Sequence, residues 1–273
     1  MKVYLAGVAP FVKLVECAYK NDYTDYLGER REEFKIENFY ALESFYYVKK
    51  ANRLMDLIPK FKGFLLDSGA FTFRQNSKIK ANWEQYTEEY ADFINHHNIK
   101  LFFELDIDTE IGYDRVLVLR KKLERLTNKQ CIPVWHKNRG KEEYIKMCQE
   151  YPYVAIGGLV GSKNDTSSII KYLPWFIDTA HKNKAMIHGL GLTAMDSLKQ
   201  FRFDSVDSTS WTTGNRFGKI YKFHNGEILK FERKANQHVK MRLTAVNNFV
   251  NGQNFLTGQT PIFKERKNEN ITV

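Results

Sequence analysis

Two carboxylates stand at the ends of short apolar runs, where a strand is expected to give way to a loop. Asp67 ends the run Phe64–Leu66 and precedes a turn of small residues, Ser68-Gly69, and Asp207 ends the run Phe203–Val206. Paired carboxylates act as nucleophile and general acid/base at glycosidic carbons. The two acids therefore predict paired-carboxylate chemistry at such a carbon.

Polar residues and glycines follow the other apolar runs in the same way. In chain order they are Asp106 with Asp108, His136, Gly157-Gly158 and His188-Gly189. A carboxylate at the edge of an apolar run is costly to bury unless it is hydrogen-bonded or ion-paired, or serves a function. Taken together, these residues favour a functional site. Each member also has a structural alternative: Asp67 as the cap of a turn, Asp108 as a helix N-cap, and His136 as a lone structural histidine.

The residue types suit recognition of a flat nitrogen heterocycle. Asp106 would accept from the ring and exocyclic amino hydrogens of a guanine-like edge, His136 would donate to a ring nitrogen, and Phe71 would cover the ring. The bare backbone of Gly157-Gly158 offers amides to a carbonyl oxygen or a phosphate. A phosphate-binding barrel enzyme that uses the loop at Gly157–Gly161 stays an alternative.

The elements that must position these residues alternate between strands and helices. The predicted strands are Val3–Val8, Phe64–Asp67, Leu101–Asp106, Ile132–Trp135, Val154–Gly157, Ala185–Gly189 and Phe203–Asp207, and the helical patterns are Trp83–His96, Tyr113–Leu126, Lys141–Tyr151, Ile169–His181 and Ala194–Phe201. Apolar strands that alternate with helices predict a parallel sheet. Seven such units favour an α/β fold of the (β/α)8 TIM-barrel type, and an open doubly wound sheet is the alternative. Lys219–Phe223 is the candidate for an eighth strand.

Two regions interrupt this alternation. Residues from about 20 to 60 carry many tyrosines and charges and predict an insertion or a lid. The segment Gly218–Phe231 alternates apolar residues around His224-Asn225-Gly226, which predicts a β-hairpin. No internal repeat or linker is present, so residues 1–273 are predicted to form a single domain.

Composition indicates which class of molecule the protein binds and in which cellular compartment it is expected. The formal net charge is +10, from 42 Lys+Arg against 32 Asp+Glu, and such an excess favours a polyanion such as nucleic acid, with plain solubility as the alternative. Cys17, Cys131 and Cys148 include no Cys-x-x-Cys pair, which argues against a disulfide framework or a structural zinc site. The sequence shows no signal peptide or apolar span of membrane length. A reduced, cytoplasmic protein without a membrane partner is therefore expected.

Six motifs in order resemble the tRNA-guanine transglycosylase superfamily. They are DSGAF (67–71), LDID (105–108), VWH (134–136), AIGGLVG (155–161), HGLG (188–191) and VDSTSW (206–211). The resemblance covers residues from about 60 to 220, and DSGAF with IGGLVG is its most specific part.

The resemblance implies a role for each matched position. Asp207 would be the nucleophile that forms a covalent glycosyl ester, with Asp204 as its rival, and Asp67 would be the general acid/base. Asp106 and the Gly157-Gly158 amides would bind the base edge. The remaining residues of the base pocket would be Ser68, Phe71, His136, Leu159, His188 and Gly189.

The departures from that family indicate a narrower branch. Ala70 replaces the second glycine of DSGGF, His136 stands where the family usually has glutamine, and the cysteine-rich zinc block is missing. In its place is a basic hairpin, which predicts a surface that tracks a nucleic-acid backbone. Its basic residues are Arg216, Lys219, Lys222, Lys230, Arg233 and Lys234. An ordinary solvated hairpin is the alternative.

The chain thus resembles the compact DNA 7-deazapurine transglycosylases, which are encoded by phage and bacterial genomes. The expected activity is exchange of guanine in DNA for a free 7-deazaguanine base, without a cofactor or metal, in the cytoplasm of a host cell if the chain is phage-encoded. Both a monomer and a homodimer stay open. The alternatives are exchange in tRNA, a hydrolase that excises the base, and a silent nucleic-acid-binding barrel.

Overall fold

The computed structural model describes residues 1–24, 35–69, 81–158, 169–192, 201–212, 219–224 and 227–232. The chain divides into two compact units, of which one spans Lys2–Ser210 and the other takes in Met1 and the residues from Trp211 onward. The first unit contains the strand-end acids.

Eight parallel strands form the sheet of the first unit. They are β1 (Lys2–Ala6), β2 (Tyr40–Ser44), β3 (Gly63–Asp67), β4 (Leu101–Phe102), β5 (Val134–Trp135), β6 (Tyr153–Ile156), β7 (Met186–Gly189) and β8 (Ser205–Ser208). Their order across the curled sheet is β4-β3-β2-β1-β8-β7-β6-β5. Because every pairing is parallel, all eight strands end at one edge, here called the carboxyl edge.

The two outer strands of this order are joined just beyond β4. Phe103 forms an isolated parallel bridge with Ile132. The Ile132 N–H donates to the Phe102 carbonyl at 2.8 Å, and the Glu104 N–H donates to the Ile132 carbonyl at 3.1 Å. Backbone hydrogen bonds therefore connect the segments that lead out of β4 and into β5.

Helices follow most of the strands. They are α1 (Val12–Lys20), α2 (Phe45–Val48), α3 (Asn52–Met55), α4 (Trp83–His96), α5 (Asp108–Ile111), α6 (Tyr113–Thr127), α7 (Gly140–Glu150) and α8 (Leu173–Lys182), with single 3-10 turns at Ala9–Phe11, Ile36–Asn38, Ile58–Lys60, Lys137–Arg139 and Ser210–Thr212.

The start of α4 is set by Asn82, whose side chain accepts from the Gln85 N–H at 3.3 Å. Tyr90 on the same helix is fully buried, and its hydroxyl donates to the Leu66 and Phe103 carbonyls at 3.1 Å each. The amphipathic pattern thus packs α4 against β3 and β4.

Side chains from the inner face of the sheet form a continuous core. Its buried members are Tyr4, Ala6, Leu42, Leu65, Phe103, Ile132, Val134, Tyr153 and Ala155. They come from β1, β2, β3, β5, β6 and the bridge after β4, so the curl is filled by side chains rather than left open. Removing their apolar surface from water stabilises the fold by roughly 25 cal/mol per Å².

The seven predicted strands are confirmed, with shorter bounds for several of them. The eighth was predicted at the wrong place, because β2 (Tyr40–Ser44) lies inside the segment expected to be an insertion and sits between β1 and β3. The candidate at Lys219–Phe223 instead belongs to β9 (Lys219–His224), which pairs antiparallel with β10 (Glu227–Glu232) in a separate sheet. The predicted hairpin is thereby confirmed.

Four of the helical patterns correspond to α4, α6, α7 and α8. The fifth, at Ala194–Phe201, lies almost wholly outside the described residues. In the part of the chain that is described, no helix combines the length and apolarity needed to cross a bilayer.

Candidate active site

Asp67 is the last residue of β3 and faces a turn that its own carboxylate stabilises. Its Oδ1 accepts from the Gly69 N–H at 3.1 Å and lies 3.5 Å from the Ser68 hydroxyl. Gly69 has φ +83°, and a Cβ there would approach the Ser44 hydroxyl oxygen to 2.6 Å, so the turn requires glycine. The Ser68 carbonyl is fixed in turn by the Tyr86 hydroxyl at 2.6 Å.

Burial and neighbouring acids hold Asp67 partly protonated near neutral pH. Desolvation raises its pKa to about 6; the Gly69 hydrogen bond opposes this increase, and the negative charges of Asp106 and Asp207 add to it. Asp106 and Asp207 therefore lie close enough to Asp67 for their charges to act on it.

Asp207 lies in β8 and is almost fully buried. Both hydrogen bonds that the described residues make to its carboxylate go to Oδ1, from the Gly191 N–H at 2.7 Å and from His188 Nε2 at 3.2 Å. His188 is fully buried, and its Nδ1 is hydrogen-bonded to the Ser205 hydroxyl, which also bonds the Tyr153 hydroxyl.

These contacts form one continuous chain of hydrogen bonds. In an arrangement that fits them, Tyr153 donates to Ser205, Ser205 donates to Nδ1 of His188, and His188 donates from Nε2 to Asp207. The tautomer follows from the network of partners. Burial raises the pKa of Tyr153 to about 12, so its hydroxyl stays a donor.

Asp106 and His136 form a second carboxylate–imidazole pair, after β4 and β5 respectively. His136 Nε2 lies 2.6 Å from Asp106 Oδ1. Burial favours the neutral ring, but the hydrogen bond and charge of Asp106 outweigh it and raise the pKa of His136. The ring lies so close to Gly157 that a Cβ there would meet His136 Cε1 at 2.3 Å. Gly157 is therefore required by the position of the imidazole.

A buried ion-pair network lies next to the Asp106–His136 pair. Glu104, which is fully buried, accepts from Arg120 Nε at 2.6 Å, Arg139 Nη1 at 2.8 Å and the Val134 N–H at 2.7 Å. Arg139 also contacts Asp108 at 3.2 Å. Although burial opposes ionisation of Asp108, the Arg139 charge is among the causes that lower its pKa overall. Charges that cannot reach water are thus paired with one another.

Glu43 in β2 is a site residue that the sequence analysis missed. Its two oxygens accept from the Ala9 N–H at 2.6 Å and the Ser44 N–H at 2.8 Å. Burial raises its pKa to about 7; these hydrogen bonds oppose the rise, and the charge of Asp67 adds to it. The signal that could have found it is the strand-like run Tyr40–Ser44, whose acid follows apolar residues as Asp67 follows Phe64–Leu66.

Three more residues named from the sequence, His188, Gly189 and Asp204, contact protein groups. Both ring nitrogens of His188 are engaged by protein groups, so it holds Asp207 rather than standing open to a base. A Cβ on Gly189 would lie 3.2 Å from the Phe203 ring, so this glycine allows close packing inside the sheet. Asp204 precedes β8, at the opposite edge, and accepts from the Ile187 N–H at 2.8 Å and from His181 Nε2 at 3.0 Å.

Several predicted residues cannot be placed in the site. Phe71, Leu159, Arg216, Arg233 and Lys234 lie outside the described residues. Lys219 and Lys222 fall in β9, and Lys230 falls in β10.

Within the described ranges, one group of side chains has the composition of a metal-ligand set. Ligand atoms of Asp106, Asp108 and His136 lie within 4.8 Å of one another. Asp106 Oδ1 bonds His136 Nε2, and Asp108 Oδ2 accepts from Arg139 and Asn138. Arg139 thus places a positive charge beside Asp108.

Comparison with protein-family models finds no match to this chain. A comparison with curated protein sequences likewise finds no significant match.

Proposed function

We propose that this protein is a base-exchange transglycosylase that replaces guanine in DNA with a 7-deazaguanine derivative through a covalent ester at Asp207. The observation that carries the proposal is the grouping of Asp67 with Asp106 and Asp207 at the carboxyl edge, where burial and, to a smaller extent, the charges of the other two acids raise the pKa of Asp67 to about 6. A general acid/base works best with a pKa near the operating pH. The bridge between Phe103 and Ile132 supports a closed (β/α)8 barrel, whose carboxyl edge is the usual place for an active site.

In the first step, Asp207 would attack C1′ of a deoxyguanosine nucleotide. A bond forms between its carboxylate oxygen and C1′, and the bond from C1′ to N9 breaks with its electron pair passing to guanine. The proton that neutralises the leaving base comes from the protonated Asp67 carboxyl. The hydrogen bonds on Oδ1 leave Oδ2 as the attacking atom.

In the second step, the incoming 7-deazaguanine base would lose its N9 proton to the Asp67 carboxylate and attack C1′. The ester bond to Asp207 breaks, the carboxylate is regenerated, and Asp67 again carries its proton. Two displacements at one carbon retain its configuration. The Asp106–His136 pair would bind the edge of each base in turn.

DNA is the proposed polymer because the net charge of +10 favours a polyanion and no cysteine-rich zinc block is present. A guanine within duplex DNA must leave the stack to reach the carboxyl edge, which costs a few kcal/mol. Exchange in tRNA is the second candidate, since a basic surface accepts either polymer.

Incubation with radiolabelled guanine and, separately, duplex DNA, single-stranded DNA and tRNA tests the proposal. Label should enter DNA. Incorporation into tRNA alone would overturn the choice of DNA, and release of guanine without incorporation would indicate a hydrolase.

Asp207→Asn tests the nucleophile, and Asp204→Asn is its matched control. Asp207→Asn should abolish covalent trapping on the polymer, measured by denaturing electrophoresis, while binding persists. Asp204 lies at the opposite edge of the sheet and bonds Ile187 and His181, so its variant should still be trapped. Trapping that is lost in Asp204→Asn and kept in Asp207→Asn contradicts the assignment.

A further inference from the structure

A pocket lies beside the carboxyl edge, next to the end of β5 and the starts of α7 and α8. Its volume is about 290 Å³, which is near the lower limit of small-molecule pockets. We call it the lysine pocket. It is lined by the aromatic residues Trp135, Tyr172 and Phe176, by Ile169 and Gly140, and by Lys137, Lys141 and Lys171.

Aromatic rings form the floor and mouth of the lysine pocket. Trp135 packs on Phe176 with ring centroids 4.5 Å apart, and its indole N–H donates to the Gly140 carbonyl at 2.7 Å. The only polar atom of the indole is therefore satisfied, and Trp135 and Phe176, at 4% and 3% exposure, form the buried apolar wall of the pocket. Of the three aromatic lining residues, Tyr172, at 44% exposure, is the one open to solvent.

Every charged residue among the described lining is a lysine. Lys171 Nζ lies 4.9 Å from the Tyr172 ring centroid, and Lys141 Nζ lies 5.6 Å from the same centroid and 5.2 Å from that of Trp175. These contacts hold the ammonium groups beside the aromatic mouth. Rings for stacking, bordered by cations, are what an unpaired nucleotide requires.

The lysine pocket adjoins the Asp106–His136 pair across one glycine. A Cβ built on Gly158 would lie 3.6 Å from Ile169 Cδ1 on the pocket side and 4.0 Å from His136 Nδ1 on the site side. We infer that the lysine pocket binds an unpaired nucleotide next to the exchanged guanine, with its base against Tyr172 and its phosphates on the three lysines. This inference rests on the proposed function for the choice of polymer.

Binding of a fluorescein-labelled oligonucleotide of twelve thymidines, followed by anisotropy over a range of NaCl concentrations, tests the inference. The variant Lys137→Gln/Lys141→Gln/Lys171→Gln should bind at least tenfold more weakly than the wild type. Each phosphate contact in a single strand adds about 0.7 to the salt slope, so the slope should fall by about 2. The control is Lys100→Gln/Lys121→Gln/Lys182→Gln, which removes the same charge from exposed positions away from the pocket and should change affinity less than twofold.

Equal loss in the two triple variants would overturn the inference, as would failure of the wild type to bind at low salt. A second pair of variants tests the stacking surface without changing charge. Tyr172→Phe should bind like the wild type, and Tyr172→Ser should bind at least fivefold more weakly. Equal affinities of these two variants would exclude stacking on this ring.

The oligonucleotide contains no guanine, so its binding does not depend on base exchange. Loss of exchange with the pocket effects intact would refute the proposed function alone. Exchange that proceeds normally in the triple lysine variant would refute the lysine pocket alone.

Discussion

His188 engages one oxygen of Asp207 and leaves Oδ2 without a hydrogen bond from any described residue. The imidazole is itself fixed by Ser205 and packs against the Phe103 ring, with centroids 5.3 Å apart. The hydrogen bond to Ser205 and the packing against Phe103 thus set its orientation. We regard His188 as a positioning residue for the carboxylate.

Replacement of His188 by phenylalanine should lower the rate constant of covalent trapping about 10- to 100-fold, because a hydrogen bond to a charged group contributes about 1.5–3 kcal/mol. His188→Gln keeps an amide donor in reach of Asp207 and should recover most of that loss. Single-turnover trapping with each variant measures the rate, and oligonucleotide anisotropy measures binding, which should stay within about twofold. Equal rates in the two variants, or loss of binding in parallel with rate, would mean that His188 serves packing alone.

For individual residues, the sequence predicts which of them end strands but not which groups they hydrogen-bond. Asp67, Asp106 and Asp207 were recognisable because each ends an apolar run. The contact between His188 and Asp207 depends on the register of β7 against β8, in which His188 is level with Ser205. Such a register is set by the packing of the whole sheet, so no local pattern reports it.

Glu104 connects three elements beside the Asp106–His136 pair. It receives Arg120 from α6, Arg139 from the turn before α7 and the backbone of Val134 in β5. Arg139 extends the network to Asp108 at the start of α5. The loops that present Asp106 and His136 are therefore tied to one buried carboxylate.

Glu104→Gln should lower the free energy of unfolding by about 3–5 kcal/mol, because it leaves the buried guanidinium of Arg120 without a counter-charge and that of Arg139 with Asp108 alone. Urea denaturation followed by tryptophan fluorescence measures the loss. Glu84→Gln is a suitable control, since Glu84 also accepts from a cation, Lys122 at 2.8 Å, but has a side chain that is 40% exposed. It should barely shift the urea midpoint. A similar shift in both variants would show that the network adds nothing beyond a surface ion pair.

Strand β2 shows where prediction of elements from sequence stops. Its run Tyr40-Ala41-Leu42-Glu43-Ser44 is short, carries an acid and follows a segment rich in charge. The sequence pattern therefore predicts an insertion here and not a strand of the sheet. The acid is tolerated because the Ala9 and Ser44 backbone amides satisfy it. Ala9 is distant in sequence, and only the assembled sheet brings it to Glu43.

On the scale of the whole molecule, acids are concentrated at the carboxyl edge of a chain whose net charge is +10. Glu43 and Asp67 both have pKa values raised above their ordinary range, mainly by burial. The folded protein therefore binds protons at this edge more tightly than the unfolded chain does. Stability and chemistry at the edge are linked through the same protons.

The free energy of unfolding should consequently fall as pH rises through the range in which Glu43 ionises. Its folded-state pKa of about 7 exceeds the ordinary value of 4.5, so the protonated form favours folding and its contribution is lost between about pH 4.5 and pH 7. Between pH 5.5 and pH 7.5 the linkage relation gives a loss of about 2 kcal/mol from this group. Urea denaturation at the two pH values measures the difference, and the same pair of measurements on Glu43→Gln, which cannot ionise, should show a difference smaller by about that amount. An unchanged pH dependence in Glu43→Gln would mean that Glu43 titrates in the folded protein as it does in the unfolded chain.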